Sequence, residues 1–221
     1  MKIVSIIPAR GGSKGVRAKN IKTFMGKSLI SHTIDHSFAS ELIQKTYVST
    51  EDETIKLIAD NCGANIIDRP KELAGDASKI QQVLEHAVGL IDADVFVFLQ
   101  CTSPLRRDND IDNAIKTMID GGYDSVFSVF LNKDLLWKKE DGLILPINYD
   151  YKNRPNRQEI VLEYVENGAI YVFKKKSFNV EKNHICGKRG IYIMPREFSF
   201  EIDTLFDFWL CEEILRRHGK K

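Results

Sequence analysis

The chain has 221 residues, a formal net charge of +1 and an apolar fraction of 43%. These values predict one α/β domain with a substantial core, and they argue against a disordered chain or a dedicated nucleic-acid binder. Apolar runs are too short for a membrane span or an export signal, and four scattered cysteines without a CxxC pair favour reduced thiols. We therefore expect an unprocessed cytoplasmic protein that binds neither membranes nor nucleic acid.

Short apolar runs alternate with helical periodicities along most of the chain. Strands are predicted at about 3–7, 46–50, 65–68, 94–100, 125–130, 169–173 and 190–194, and helices at about 29–38, 51–61, 80–91, 108–120 and 204–217. This alternation predicts one domain over 1–221 with a mostly parallel sheet covered on both faces. The periodicity weakens at about 131–165, which indicates an extension that covers the substrate or a partner subunit.

A loop rich in glycines and cations follows the first predicted strand. Residues 8–20 contain Gly11, Gly12 and four cations, and the first 34 residues carry +7 whereas the remainder carries −6. Glycine lets main-chain N–H groups approach an anion that lysine and arginine neutralise, so the loop predicts a polyanionic small-molecule ligand. A Walker A motif does not fit, because its first glycine would fall at Ile21. The GxGxxG motif of dinucleotide-binding domains is absent from this loop.

A second polar feature stands before the last predicted helix. Glu201 and Asp203 are two residues apart, so on a strand they would share one face and could bind Mg²⁺ together. The alternative is a solvated strand end with a helix cap, in which Asp203 or Thr204 caps the helix and Asp207 occupies its first turn. The sequence leaves both interpretations open.

Four segments together resemble a known family, the CMP-sialic acid synthetases. They are 8–15 with Lys19-Asn20, 99–106, 167–171, and Ile202-Asp203 followed by Asp207. The family comprises cytidylyltransferases for nine-carbon α-keto acid sugars, the nonulosonic acids, and the resemblance spans nearly the whole chain in order. It implies a Rossmann-like three-layer α/β/α fold of the nucleotide-diphospho-sugar transferase type, CTP and a nonulosonic acid as substrates, Mg²⁺ as cofactor, and a homodimer formed through the extension.

The resemblance also implies the chemistry and the residues that perform it. The anomeric hydroxyl of the sugar attacks the α-phosphorus of CTP as pyrophosphate leaves, and positioning and charge neutralisation do most of the work. The implied catalytic residues are Arg10, Lys14, Lys19 and Asp203, and the implied metal ligands are Glu201 and Asp203. The implied nucleotide-binding residues are Ala9, Arg10, Gly12, Ser13, Lys14, Lys19, Asn20, Arg69, Asp76 and Ser78; those for the sugar are Gln100, Arg157, Gln158, Asn167 and Tyr171.

Several of these residues have a simpler structural interpretation. Asp76 or Ser78 could cap a helix, and Asp68-Arg69-Pro70 is a common turn sequence. Gln100 could serve only the backbone of its loop, and a tyrosine within a strand, as at Tyr171, is more often a packing residue. The Arg157 guanidinium suits bidentate recognition of the sugar carboxylate.

The chain also departs from the family pattern. Cys101 replaces a usual proline, Glu201 a more usual aspartate, and Val165 an arginine of some members. Two alternatives therefore stay open: an enzyme for the eight-carbon acid Kdo or another sugar nucleotidyltransferase, and a non-catalytic nucleotide-binding protein of the same fold. The sequence assigns no general base, because its histidines have no partner motif.

Overall fold

The computed structural model describes residues 1–12, 15–156, 158–160 and 162–218. Its strands are β1 Ile3–Pro8, β2 Thr23–Phe24, β3 Lys27–Ser28, β4 Lys45–Thr50, β5 Asn65–Asp68, β6 Val95–Leu99, β7 Ser125–Asn132, β8 Trp137–Glu140, β9 Leu143–Pro146, β10 Glu163–Lys174 and β11 Arg189–Ile193. Its α-helices are α1 Leu29–Ala39, α2 Glu53–Asn61, α3 Ile80–Leu90, α4 Asp110–Asp120, α5 Lys175–Glu181 and α6 Leu205–His218. In this described part, no helix is long and apolar enough to cross a membrane.

A seven-stranded sheet in the order β11-β7-β10-β6-β1-β4-β5 forms the centre of the molecule. Its pairs are parallel except those of β10, which runs antiparallel to both β6 and β7. Parallel neighbours need a crossover, usually a helix, whereas the described residues between β7 and β10 form only the small β8–β9 hairpin. The chain therefore returns beside β7 in the opposite direction.

Helices cover both faces of this sheet. Apolar residues of α1, α2 and α4, such as Ile30, Ile55 and Ile115, pack on one face. Leu84 of α3 and Phe178 of α5 pack on the other face with the aromatic side chains of β6 and β10. The predicted three-layer α/β/α fold with a mostly parallel sheet is thus confirmed.

Some elements differ from the sequence-based expectation. Sequence periodicity predicted neither helix α5 nor the two small hairpins, β2–β3 and β8–β9. The segment around Glu201 and Asp203, predicted as a strand end, forms no strand. Its alternation of polar and apolar residues arises because Ile202 is fully buried in a third apolar cluster, with Phe24 and with Phe208 of α6.

A buried arginine connects three parts of the fold. Arg106 is only 4% exposed, and its Nε donates to the Ala169 carbonyl of β10 at 2.8 Å. Its other nitrogens donate to the Gln100 carbonyl at the end of β6 and to Thr33 Oγ1 of α1. Burial lowers the pKa of Arg106 to about 10, so the guanidinium stays charged at neutral pH. The guanidinium thereby fixes the loop after β6 against β10.

We expect Arg106→Met to destabilise the protein by about 2 kcal/mol, because the buried Ala169 carbonyl loses the guanidinium donor, the Gln100 carbonyl keeps only the Ser103 N–H at 3.4 Å, and an unsatisfied buried group costs about 1–3 kcal/mol. Urea unfolding followed by circular dichroism measures this change. Lys116→Met, at an exposed position of α4, is the matched control and should change stability by less than about 0.5 kcal/mol. Equal midpoints for Arg106→Met and the wild type would contradict the assigned role.

Candidate active site

A cleft of about 750 Å³ lies at the carboxyl ends of β1 and β6. Parallel α/β sheets bind ligands at this edge, where the loops after the strands converge. The loop that begins at Arg10, the segment 100–102 and the first turn of α3 form its walls, and Tyr171 enters from β10. The structure therefore brings the two predicted loops to one cleft, as the topology required.

Most predicted site residues of known position line this cleft. They are Arg10, Lys19, Asn20, Arg69, Asp76, Ser78, Gln100, Tyr171 and Asp203. Ala9, Gly12, Gln158, Asn167 and Glu201 do not line it. Ser13, Lys14 and Arg157 lie outside the described residues, so their assignments stay predictions.

Two cations of the cleft are paired with carboxylates. Arg10 Nη1 lies 3.0 Å from Asp76 Oδ1, and Lys19 Nζ lies 3.1 Å from Asp203 Oδ1. Lys19 also donates to the Ile202 carbonyl at 2.7 Å, and its side chain is 14% exposed whereas that of Asp203 is 74% exposed. The lysine is thus anchored, and the aspartate remains accessible from solvent.

Side chains hold the peptide unit between Arg10 and Gly11 from both sides. Asn20 Nδ2 donates to the Arg10 carbonyl at 3.0 Å, and the Gly11 N–H donates to Glu51 Oε1 at 2.8 Å. Ala9 is buried, with its N–H bound to the Ser49 carbonyl, whereas Gly12 is exposed. In this structure Asn20 thus supports the loop, and Glu51 is a supporting residue that the sequence analysis missed.

The loop also approaches the segment before α6 closely. A Cβ atom at Gly15 would lie 2.5 Å from the Asp203 carbonyl oxygen, which is closer than real Cβ contacts allow. A glycine at this position therefore lets the loop approach the carboxylate that pairs with Lys19.

Arg69 forms part of the cleft wall but is largely engaged by the protein. Its side chain is 4% exposed, its Nε donates to Ser49 Oγ at 3.3 Å, and its Nη2 donates to the Ser49 carbonyl. Glu51 Oε2 lies 3.9 Å from Nη1. Burial lowers the pKa of Arg69, and the charge of Glu51 acts in the opposite direction. The guanidinium is held rigidly at the cleft edge.

Asp76 and Ser78 do not act as helix caps. Lys79 occupies the N-cap of α3, where its N–H donates to Gln82 Oε1 at 3.1 Å, whereas Ser78 Oγ donates to the Glu72 carbonyl at 2.9 Å. Asp76 instead pairs with Arg10, so this segment joins the opposite walls of the cleft.

Aromatic and polar side chains form another part of the cleft. Phe98 and Tyr171, opposite each other on β6 and β10, stack with ring centroids 5.0 Å apart. The Tyr171 hydroxyl donates to Glu166, and burial followed by this contact raises the pKa of Tyr171, so the phenol stays neutral. Gln100 Oε1 lies 3.5 Å from Thr102 Oγ1. Tyr171 therefore both packs and faces the cleft.

Phe98, Glu166 and His184 also line the cleft, although sequence patterns did not single them out. Glu166 directly precedes the 167–171 segment and could have been found from that position. Phe98 lies in an all-apolar strand, and His184 lies in an irregular segment between α5 and β11, so no periodicity marks either residue.

Asn167 has a structural role in the irregularity of β10 between Glu166 and Tyr171. Its Oδ1 accepts from Ser128 Oγ at 2.6 Å, and its Nδ2 donates to Ser199 Oγ at 2.9 Å. The side chain is 3% exposed, so its amide is occupied by the protein. Its implied contact with the sugar stays a prediction.

The bulge also requires a glycine. Gly168 has a φ of 67°, in the left-handed region, and a Cβ atom there would collide with Glu201 and Gln100. Gly168 therefore lets the half-buried Glu201 carboxylate pack directly against the β10 backbone.

Glu201 and Asp203 are neighbouring carboxylates, although the segment that contains them is not a strand. Glu201 Oε1 lies 3.5 Å from Ser103 Oγ, and the Ile202 N–H donates to the Thr102 carbonyl at 2.8 Å. Burial raises the pKa of Glu201, and the negative charge of Asp203 adds to this while Lys19 opposes it. Among the described residues, no group of three or more His, Cys, Asp or Glu side chains could hold a metal ion.

Both interpretations of this segment have a counterpart in the structure. Asp207 Oδ2 accepts from the Asp203 and Thr204 N–H groups at 3.0 and 2.7 Å, and the Asp207 N–H donates to Thr204 Oγ1 at 3.2 Å. Thr204 and Asp207 thus cap α6 reciprocally. This capping leaves the Asp203 carboxylate available to Lys19 and the cleft.

Several known proteins are similar to this chain. N-acylneuraminate cytidylyltransferase of Escherichia coli O18:K1:H7 is 34% identical over all of the chain and 54% of its own length. The enzyme of that name from Oncorhynchus mykiss is 32% identical over 98% of the chain and 51% of its own length. The chain therefore spans about half the length of the curated relatives it matches, and the resemblance to the CMP-sialic acid synthetases is confirmed.

Solved structures share the fold at low sequence identity. CMP:2-keto-3-deoxy-manno-octonic acid synthetase complexed with CTP superposes with a TM-score of 0.75 at 16% identity, covering 99% of this chain and 100% of that one. 4-diphosphocytidyl-2C-methyl-D-erythritol synthase from Anaerococcus prevotii superposes with a TM-score of 0.72 at 14% identity, covering 98% of this chain and 96% of that one.

The chain also matches the model of a whole protein family. The family's sequence model, described as cytidylyltransferase, matches residues 4–210, from β1 into α6, and so includes every element that contributes to the cleft. Because this match covers nearly the whole chain, the chain belongs to the cytidylyltransferase family.

Proposed function

We propose that this protein is a CTP-dependent cytidylyltransferase that activates a nine-carbon α-keto acid sugar to its CMP-sugar and releases pyrophosphate. One observation carries the proposal: Arg10 and Lys19 stand in one cleft with Asp203, and both cations are held by protein carboxylates. Anchored cations suit a polyphosphate, because they neutralise its charge without first having to be ordered.

The choice of sugar rests on the relatives. Those at 32–34% identity are named N-acylneuraminate cytidylyltransferases, which favours a nine-carbon acceptor. The synthetase for an eight-carbon acid is similar at 16% identity, a level that supports only the common fold. A nonulosonic acid is therefore the leading acceptor, and Kdo is the alternative.

We propose roles for the described cleft residues as follows. Arg10 and Lys19 bind the triphosphate, and Asn20 with Glu51 keeps the loop in position for it. Gln100 and Tyr171 lie beside the sugar. The oxygen of the sugar hydroxyl then bonds to the α-phosphorus as the bond to pyrophosphate breaks, the hydroxyl proton passes to water, and the cations stabilise the negative charge that develops on the leaving group. Lys14 and Arg157 are proposed to assist with the phosphates and the sugar carboxylate, respectively.

We propose Mg²⁺ as the cofactor, and the side chains present fit it. Hard divalent cations take oxygen ligands, and Mg²⁺ is usually bound through one or two carboxylates together with substrate phosphates. Glu201 and Asp203 offer such a pair, and the raised pKa of Glu201 reflects burial and a neighbouring negative charge that a cation would relieve. When bound, the ion would neutralise phosphate charge beside Lys19.

We further propose a cytoplasmic homodimer. The four cysteines are free thiols, which suits a reducing compartment. Large side chains of the β8–β9 hairpin and its flank are exposed, including Trp137 at 46%, Leu143 at 63%, Ile144 at 60% and Ile147 at 53%. Apolar patches of this kind mark interaction sites, and a second copy of the chain is the partner that the resemblance implies.

The proposed function predicts pyrophosphate release from CTP and Mg²⁺ with at least one nine-carbon keto acid. A coupled pyrophosphate assay with N-acetylneuraminate, legionaminate, pseudaminate and Kdo measures it, with ATP in place of CTP as a control. Turnover with Kdo alone would establish the eight-carbon alternative. CTP binding strengthened by Mg²⁺, without turnover on any acceptor, would instead support a non-catalytic nucleotide-binding protein.

We expect Lys19→Ala and Asp203→Ala each to lower kcat/KM by about 100-fold, because each removes a charged group from the phosphate site. Thermal unfolding should change little for Asp203→Ala, since its side chain is largely exposed and Thr204 with Asp207 caps α6. Lys45→Ala is the matched lysine control, because Lys45 is exposed at the amino end of β4, opposite the cleft. Full activity in either cleft variant would contradict its role.

Glu201→Gln should separate stability from activity. The pKa of Glu201 is raised in the folded protein, so ionisation of this carboxyl opposes folding at pH values above its folded pKa, and this cost disappears below its unfolded pKa. The variant should therefore unfold at an equal or higher temperature than the wild type at pH 7.5, and the difference should shrink towards pH 4.

The same variant should need a higher Mg²⁺ concentration for half-maximal activity and lose about 10-fold or more in kcat, since one anionic ligand is removed. A Mg²⁺ titration of wild type and Glu201→Gln measures this effect. Identical titration curves would remove Glu201 from the proposed metal site while leaving Asp203 in place.

A further inference from the structure

His184 is a cleft residue to which the proposed reaction assigns no role. It lies between α5 and β11, is 7% exposed and lines the cleft. Its ring stands nearly perpendicular to those of Tyr171 and Phe98, with centroids 4.7 and 5.5 Å away. These contacts on two adjacent strands fix the orientation of the imidazole.

The hydrogen-bonding capacity of the ring indicates where its proton is. Burial lowers the pKa of His184, with Glu166 opposing, so the imidazole is neutral at neutral pH and carries one N–H. Nδ1 is closed off from solvent and has no hydrogen-bond partner among the described residues. A proton on Nδ1 would bury a donor with no acceptor, which favours the tautomer protonated at Nε2.

Nε2 is then the atom through which the ring can meet a ligand in the cleft. The surroundings of His184 determine which ligand atoms suit it. The Phe98 ring beside it is apolar, the Tyr171 hydroxyl is already donated to Glu166, and the Glu166 carboxylate disfavours an anion nearby. An uncharged oxygen, either a hydroxyl or an amide carbonyl, is the acceptor that fits this part of the cleft.

We propose that His184 determines acceptor specificity by donating a hydrogen bond from Nε2–H to an uncharged oxygen of the sugar beside Tyr171. This inference rests on the proposed function, because it assumes that the sugar occupies this part of the cleft. It assigns His184 to recognition of the sugar and not to the phosphates or to proton transfer. A histidine that only packs would have no effect on sugar binding beyond its shape.

His184→Phe tests the proposal, because phenylalanine keeps an aromatic ring against Tyr171 and Phe98 and removes the donor. With the nine-carbon acid that the wild type uses best, we expect KM for the sugar to rise about 3- to 10-fold, as for the loss of one hydrogen bond between uncharged groups. KM for CTP should stay within twofold. His86→Phe is the matched control, because His86 also has a buried unpartnered Nδ1 but does not line the cleft.

Deoxy analogues of the same sugar, and analogues that lack the amide carbonyl, locate the contact. For one analogue, KM measured with the wild type should rise by the same 3- to 10-fold. KM measured with His184→Phe should not change between that analogue and the parent sugar. If no single analogue shows this coupling, or if KM for the sugar is unchanged in His184→Phe, the inference is overturned while the proposed function stands. Absence of wild-type turnover with every acceptor overturns both.

The tautomer gives a readout independent of turnover. Two-bond ¹⁵N–¹H correlation spectra of ¹⁵N-histidine-labelled protein distinguish the two neutral forms, and comparison with His184→Phe assigns the signal. We expect the Nε2–H form at neutral pH. A proton on Nδ1, or a charged ring, would overturn the proposal.

Discussion

The buried Arg106 guanidinium is the constraint on which the cleft depends. Its donors bind the carbonyl groups of Gln100, the first residue after β6, and of Ala169, which lies in the β10 bulge. Among the described residues Arg106 has no direct carboxylate partner, and burying such a cation is costly, so these hydrogen bonds must stabilise its charge. Because β10 runs against its neighbours, its bulge and the loop after β6 lie side by side, and Arg106 holds them together.

The β10 bulge held by Arg106 also affects the position of the Glu201 carboxylate. Gly168, in the bulge, leaves no space for a Cβ atom beside Glu201 and Gln100. The position of Glu201 is therefore determined by β10, whereas Asp203 is placed by Ile202, which is buried under α6. Two separate packing interactions thus place Asp203 in the cleft and Glu201 behind it, against β10.

Sequence patterns predicted the layers of the fold well, because buried parallel strands are continuous apolar runs and their helices have a clear apolar stripe. They failed where a pattern has two physical causes. Glu201-Ile202-Asp203 alternates like a strand, but the alternation comes from burial of one isoleucine in a helix cluster. The antiparallel direction of β10 depends on the connection from β7, which contains a hairpin where a parallel strand would need a crossover. Local periodicity does not reveal the direction in which a strand pairs.

For the site, the resemblance in the motifs predicted many of the residues that meet in one cleft. It did not predict what each of these residues does there. Asn20 and Asn167 are both amides in matched segments, yet one holds the loop peptide from the cleft wall and the other is buried in the bulge. Glu51 and His184 acquire their positions only from the tertiary structure. A single sequence cannot distinguish a side chain that contacts a ligand from one that supports the contact.

The charge pairs of the cleft differ in strength, and this difference bears on function. Arg69 is buried and bound to main chain, so moving it would leave unsatisfied groups. The Arg10–Asp76 pair and the Lys19–Asp203 pair each include a partner whose side chain is 49% or 74% exposed, respectively. Exposed ion pairs contribute only about 0–1 kcal/mol, so the proposed polyphosphate ligand would displace these carboxylates at little cost. The weak pairs thus keep the two cations oriented for the proposed nucleotide, and the rigid arginine would preserve the cleft wall if those pairs were exchanged for phosphate.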